Sequence, residues 1–94
     1  MKGISLAELY DFLSNRHELE FRYQNNTFSM EPYWDGTNSG FGIWDCTHDG
    51  KLIAKVINNG TDDTAAIDKL LQIACFGGKN FMDVEKDIIV EVIY

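Results

Sequence analysis

The residues in this chain most able to do chemistry fall in one run, Asp45-Cys46-Thr47-His48-Asp49. On an extended backbone Cys46 and His48 share a face, about 6–7 Å apart. A thiol needs a nearby base or cation to become a nucleophilic thiolate. His48 could serve, but no third group in the run is evident to orient its imidazole. The same residues, with His17 or Cys75 from elsewhere, would be the only ligands for a metal. Structural zinc sites are usually built from paired close ligands such as C-x-x-C, and only one close pair exists here. We therefore expect no catalytic set and no metal site, and take Cys46 and Cys75 as buried free thiols.

Two other segments imitate known sites without completing them. Asp35-Gly36-Thr37-Asn38-Ser39-Gly40 has the oxygens and glycine of a calcium loop at its first six positions. Its twelfth position is Cys46, where the loop needs a bidentate glutamate. Gly77-Gly78-Lys79-Asn80-Phe81 puts glycines and a lysine before a helix, an arrangement open to anions. It lacks the first glycine and the Ser or Thr of a P-loop. No cofactor is implied by either segment.

Around the first of these segments stand Tyr33, Trp34, Asp35, Phe41 and Trp44. Aromatics at a loop rim are what binding surfaces use, and also what a small sheet uses to close its core. If the chain has a binding site, these five residues are the candidates. Trp34 is the best placed as an exposed anchor, because it adjoins the turn.

The elements that must position them can be read along the chain. Ser5 and Glu8 form a capping box, and Leu6, Leu9, Tyr10 and Leu13 recur at helical spacing, so a first helix runs from about Leu6 to Asn15. Leu19, Phe21 and Tyr23 alternate with charged residues in a half-buried strand. A turn at Gln24-Asn25-Asn26, where asparagine tolerates positive φ, leads to a second strand over Thr27–Glu31. Pro32 ends that strand or sits on an edge.

A third strand covers Phe41–Thr47 and a fourth Lys51–Ile57, joined by an Asp-Gly turn. The fourth is apolar on both faces, as a central strand is. A second helix spans about Thr64–Cys75, started by Thr61, Asp62 or Asp63 and ended by Gly77-Gly78. Asn80 caps a short third helix. The last strand is Ile88–Tyr94, with Ile88, Val90, Val92 and Tyr94 on one face.

The expected fold is a single α+β domain over residues 1–94, in the order α-β-β-β-β-α-α-β. About five strands make a mainly antiparallel sheet, and the two main helices pack on one face. The apolar fraction is 45%, enough for a single core without staples in 94 residues.

Fifteen acids against eight scattered bases give a formal net charge of −7. Phosphate binding needs clustered Lys and Arg, so direct nucleic-acid binding is not expected. There is no apolar run long enough to cross a membrane and no secretory signal pattern, so the expected setting is cytoplasmic.

Leu6–Leu13, Glu18-Leu19-Glu20-Phe21-Arg22-Tyr23, Gly78-Lys79-Asn80-Phe81 and Glu91-Val92-Ile93-Tyr94 together resemble a group of small uncharacterised proteins of Gram-positive bacteria and their mobile elements. The resemblance touches both ends of the chain and not its middle. It implies a bacterial cytoplasmic setting and an accessory role, and assigns no catalytic residue.

The leading functional expectation is a non-enzymatic protein-binding or regulatory module, with a homodimer through the Ile88–Tyr94 strand as one form of it. An acidic inhibitor that mimics nucleic acid is the first alternative. It would draw on Glu18, Glu20, Glu31, Asp62, Asp63, Asp83, Glu85 and Asp87. A small-ligand binder or enzyme using Cys46, His48, Trp34 and Trp44 is the second.

Overall fold

The computed structural model describes all 94 residues. The elements are α1 (Leu6–Ser14), β1 (Leu19–Tyr23), β2 (Asn26–Trp34), β3 (Ser39–Asp45), β4 (Lys51–Ile57), α2 (Asp63–Leu71), α3 (Phe81–Val84), a 3-10 turn (Glu85–Asp87) and β5 (Ile89–Ile93). The five strands form one antiparallel sheet in the order β4-β3-β2-β1-β5. This is the α+β architecture expected from the sequence.

One face of the sheet carries the core. Leu19, Phe21, Phe28, Met30, Phe41, Ile43 and Ala54 alternate along the strands and meet Leu9 and Leu13 of α1, and Ile67, Leu70 and Leu71 of α2. All of these are nearly or wholly excluded from solvent. Each of these side chains other than Ala54 contributes roughly 1.5–3 kcal/mol on burial. Phe21 has the Phe28, Phe76 and Phe81 rings between 5.5 and 6.3 Å away, and Phe76 meets Tyr23, Phe28 and Phe81 as well.

The local signals explain where the helices begin. Ser5 and Glu8 exchange hydrogen bonds in a complete capping box at α1, and Asn80 and Asp83 do the same at α3. Asp62 accepts the Ala65 N–H at α2. Tyr10 donates its hydroxyl to Asp68, and Arg16 pairs with Asp63 at 3.2 Å, so α1 and α2 are tied by polar contacts above the core.

Several elements depart from the sequence reading. Helix α2 ends at Leu71, well before Gly77-Gly78. The chain leaves the helix so that Phe76 can enter the aromatic cluster, and the two glycines then make a separate tight turn. Phe76 and Lys79 exchange backbone hydrogen bonds across it, with Gly77 and Gly78 at φ +63° and +86°. That left-handed geometry is open to glycine at no steric cost.

Between β1 and β2 the positive φ falls on Gln24, at +57°, and not on an asparagine. Strand β3 begins at Ser39 and ends at Asp45, two residues earlier at each end than expected.

Pro32 lies inside β2, not at its end. The Cys46 N–H donates to the Thr27 carbonyl, so odd-numbered residues of β2 bond toward β3 and even-numbered ones toward β1. Strand β1 runs out at the Leu19–Met30 pair, so the side that Pro32 faces has no ladder to interrupt. Strand β4 is an edge, not a central strand. Its second apolar face arises from a bulge at Ile53, the residue passed over between Ile43–Ala54 and Trp44–Leu52.

Glu91 is a second bulge. Phe21 pairs with Val90 while Glu20 pairs with Val92, so alternation along β5 is broken. Val90 shares the core face, Val92 lies opposite, and Ile88 is fully buried just before the strand.

Candidate functional site

No helix covers the second face of the sheet. The pleat places Glu20 of β1, Ser29, Glu31 and Tyr33 of β2, Gly42 and Trp44 of β3, and Leu52, Lys55 and Ile57 of β4 there. Two sectors divide it.

The aromatic sector lies over β2, β3 and β4. Tyr33 and Trp44 stack with ring centroids 6.5 Å apart. The far end of the Trp44 ring lies over Gly42, where a Cβ would sit 2.7 Å from it. Lys55 places its ammonium 5.0 Å from the Tyr33 ring centroid and donates to the Tyr33 hydroxyl at 3.3 Å. The result is an aromatic platform with a glycine beneath it and a lysine at its rim.

The acidic sector lies over β1 and β2. Ser29, buried although it sits on the open face, donates its hydroxyl to Glu31 at 2.6 Å and lies 3.3 Å from Glu18. Partial burial and the neighbouring Glu31 carboxylate push the Glu18 carboxyl up from its usual range. Tyr94 donates its hydroxyl to Glu20 at 3.0 Å. The side chains from Glu18, Glu20 and Glu31 thus line one patch, assembled by register from residues up to thirteen positions apart in the chain.

Of the five candidate residues, the structure brings two together. Tyr33 and Trp44 form the stack. Trp34 is 67% exposed but belongs to the helix side of the sheet, since it follows Phe28, Met30 and Pro32 in the pleat. It shares no pocket with Trp44. Phe41 is fully buried, packed in the core with Arg16 lying 5.2 Å over its ring. It is a core residue and cannot contact a ligand. Asp35 holds the β2–β3 turn, accepting the N–H groups of Thr37 and Asn38 at 2.9 and 2.7 Å. Those hydrogen bonds, with smaller contributions from Tyr33 and Lys55, keep its carboxyl below the usual range.

The polar run after β3 is also rearranged. Cys46 is exposed, not buried. Asp45 does supply the orienting group missing from the sequence reading, 2.8 Å from His48 Nδ1. The thiol itself is poised the wrong way for a nucleophile. Desolvation and the Glu20, Glu31, Asp45 and Glu18 carboxylates push its pKa up. Cys75 is half-buried, outside the helix, and burial pushes it to about 11. No three or more His, Cys, Asp or Glu side chains gather in a metal-binding arrangement.

The largest cleft, about 480 Å³, lies elsewhere, at the β1–β2 turn. Tyr23, Phe28, Phe76 and Cys75 line it, with Asp45 and Lys79 on its rim. Sequence reasoning missed it because the Phe76–Lys79 turn that walls it was read as a helix end. The eight acids available for a nucleic-acid mimic divide among the open face, the start of α2 and the α3 region. Only Glu18, Glu20 and Glu31 lie together on the open face.

No helix is long and apolar enough to cross a membrane. No protein-family model, curated protein or solved structure matches the chain.

Proposed function

We propose that this chain is a non-enzymatic protein-binding module that acts in the cytoplasm through the open face of its sheet. The carrying observation is the Tyr33–Trp44 platform set beside the Glu18, Glu20 and Glu31 carboxylates. A flat aromatic patch supplies contact area at little entropic expense, and adjoining charge selects the partner. The matching partner surface is apolar at its centre, with Lys or Arg toward the β1 side.

Two observations favour a protein over other ligands. A net charge of −7 with carboxylates on the same face repels phosphate. None of the clefts is lined by Tyr33, Trp44, Glu18, Glu20 or Glu31, whereas small-molecule sites are concave. Against an enzyme stands the Cys46 thiol, which is surrounded by carboxylates that disfavour its reactive form.

Affinity capture from the native host tests the reading when run on matched variants. A partner held by wild type and by Met82→Lys, but lost with Trp44→Lys, supports it. A partner held equally by Trp44→Lys, or no partner at all, contradicts it.

A further inference from the structure

The two sectors of the open face meet along the β2–β3 pairing, where Glu31 lies opposite Gly42 and Ser29 opposite Trp44. The far end of the Trp44 ring covers Gly42, so the register sets the Glu31 side chain beside that ring. Ser29 is only 3% exposed and donates its hydroxyl to Glu31 at 2.6 Å. A Glu18 carboxylate oxygen lies 3.3 Å from the same hydroxyl. One buried serine thus gathers two carboxylates at the edge of an aromatic ring.

Neither the ring nor the carboxylates find a cation within the chain. Tyr94 donates to Glu20, but no Lys, Arg or His pairs with Glu18, Glu20 or Glu31. Arg16 lies over Phe41 and Lys55 over Tyr33, while no cation lies over Trp44. Indole is the aromatic face that attracts a cation most strongly. Partial burial and the neighbouring Glu31 carboxylate disfavour the charged form of Glu18, a conflict that a cation between the two would relieve. The junction of the sectors therefore suits one positive charge, against the Trp44 ring and beside two carboxylates.

Shape selects among cations. An ammonium is a compact, strongly hydrated point charge. A guanidinium is planar, so it can stack on indole while its N–H fork reaches in-plane toward carboxylates at the ring's edge. A bound metal ion would need three or more acidic, His or Cys ligands together, and these do not gather here.

We infer that the open face grips an arginine of its protein partner, the guanidinium stacking on Trp44 and donating to Glu31 and Glu18. This rests on the open-face reading and adds to it the anchor residue that the partner supplies.

Capped five-residue synthetic peptides, with leucines flanking a central arginine, lysine or citrulline, test the inference. They are titrated into the full-length protein at low salt and followed by amide and indole NMR. The arginine peptide gives saturable shifts at the Trp44 indole N–H, at Ser29–Glu31 and at Gly42–Trp44. The citrulline peptide, close in shape but uncharged, binds at least about tenfold more weakly, and the lysine peptide at least about threefold. Glu31→Gln weakens the arginine peptide at least about tenfold, and Glu18→Gln weakens it as well. Asp11→Asn removes the same charge from α1, across the sheet, and changes the affinity by less than about twofold. No saturable shift up to about 5 mM arginine peptide overturns the inference. So do shifts away from Trp44, equal binding of the citrulline or lysine peptide, or equal losses from Glu31→Gln and Asp11→Asn. None of these results touches the open-face reading itself, which stands or falls on partner capture with Trp44→Lys.

Discussion

The two faces of the sheet use the same strands and differ in almost everything else. On the helix side, alternate residues are Leu, Phe, Met and Ile at zero to five per cent exposure, interlocked with α1, α2 and the Phe76 turn. On the open side, the intervening residues are mainly Glu, Ser, Gly, Tyr, Trp and Lys, with Leu52 and Ile57 on β4, and none is packed under a helix. The lesson is a division of labour: one face holds the fold together, so the other is free to carry chemistry that adds little to stability. Substitutions should therefore separate sharply by face.

The largest effect is expected in the aromatic cluster of the covered face. Phe21→Ala removes a ring that touches three others and should destabilise by about 3–5 kcal/mol. Against the few kcal/mol by which a small domain is stable, that is enough to unfold much of the population. A urea melt showing less than about 1 kcal/mol lost would break the distinction between the faces.

Two glycines of β3, both on the open face, show where backbone contact overrides that division. At Gly40 a Cβ would lie 1.8 Å from the Val56 carbonyl oxygen, so alanine must push the β3 and β4 backbones apart. At Gly42 the obstacle is the end of the Trp44 ring, which can swing away. Gly40→Ala should cost about 3 kcal/mol and Gly42→Ala about 1 kcal/mol. The second substitution should also shift tryptophan fluorescence to the red as Trp44 leaves its platform. Equal melting temperatures for the two variants would contradict this account.

Trp44→Ala should lose about 2 kcal/mol, less than a core ring because Trp44 is only half-buried, while abolishing partner binding.

The smallest effect concerns Glu18. Its folded carboxyl is raised above the usual range, so the folded state holds that proton more tightly than the unfolded chain does. Stability is then greatest below the unfolded pKa and falls as pH rises through the folded one. Glu18→Gln should match wild type at acid pH and exceed it by less than about 1 kcal/mol at neutral pH. Chemical melts at the two pH values check the sign.

Features of the fold governed by local chemistry were legible in the sequence. The Ser5/Glu8 and Asn80/Asp83 caps, the alternation of β1 and the bounds of β4 depend on residues a few positions apart. What escaped depends on distant partners. The Glu91 bulge exists because β5 must match β1, and α2 stops early because Phe76 belongs to a cluster built from β1 and β2. Phe41 and Trp44 were indistinguishable as loop-rim aromatics until the register put one in the core and the other on the open face. Glu18, Glu20 and Glu31 were among the eight acids considered for a common face, but only the β1–β2 pairing separates them from the other five.

The central claim is that the open face is the surface that meets a partner. Photocrosslinking in the native host, with a photoreactive residue at position 44 in one strain and at position 82 of α3 in another, tests it most directly. The account predicts a discrete crosslinked protein from position 44 and none from position 82. A crosslink from position 82 with none from position 44 would contradict it.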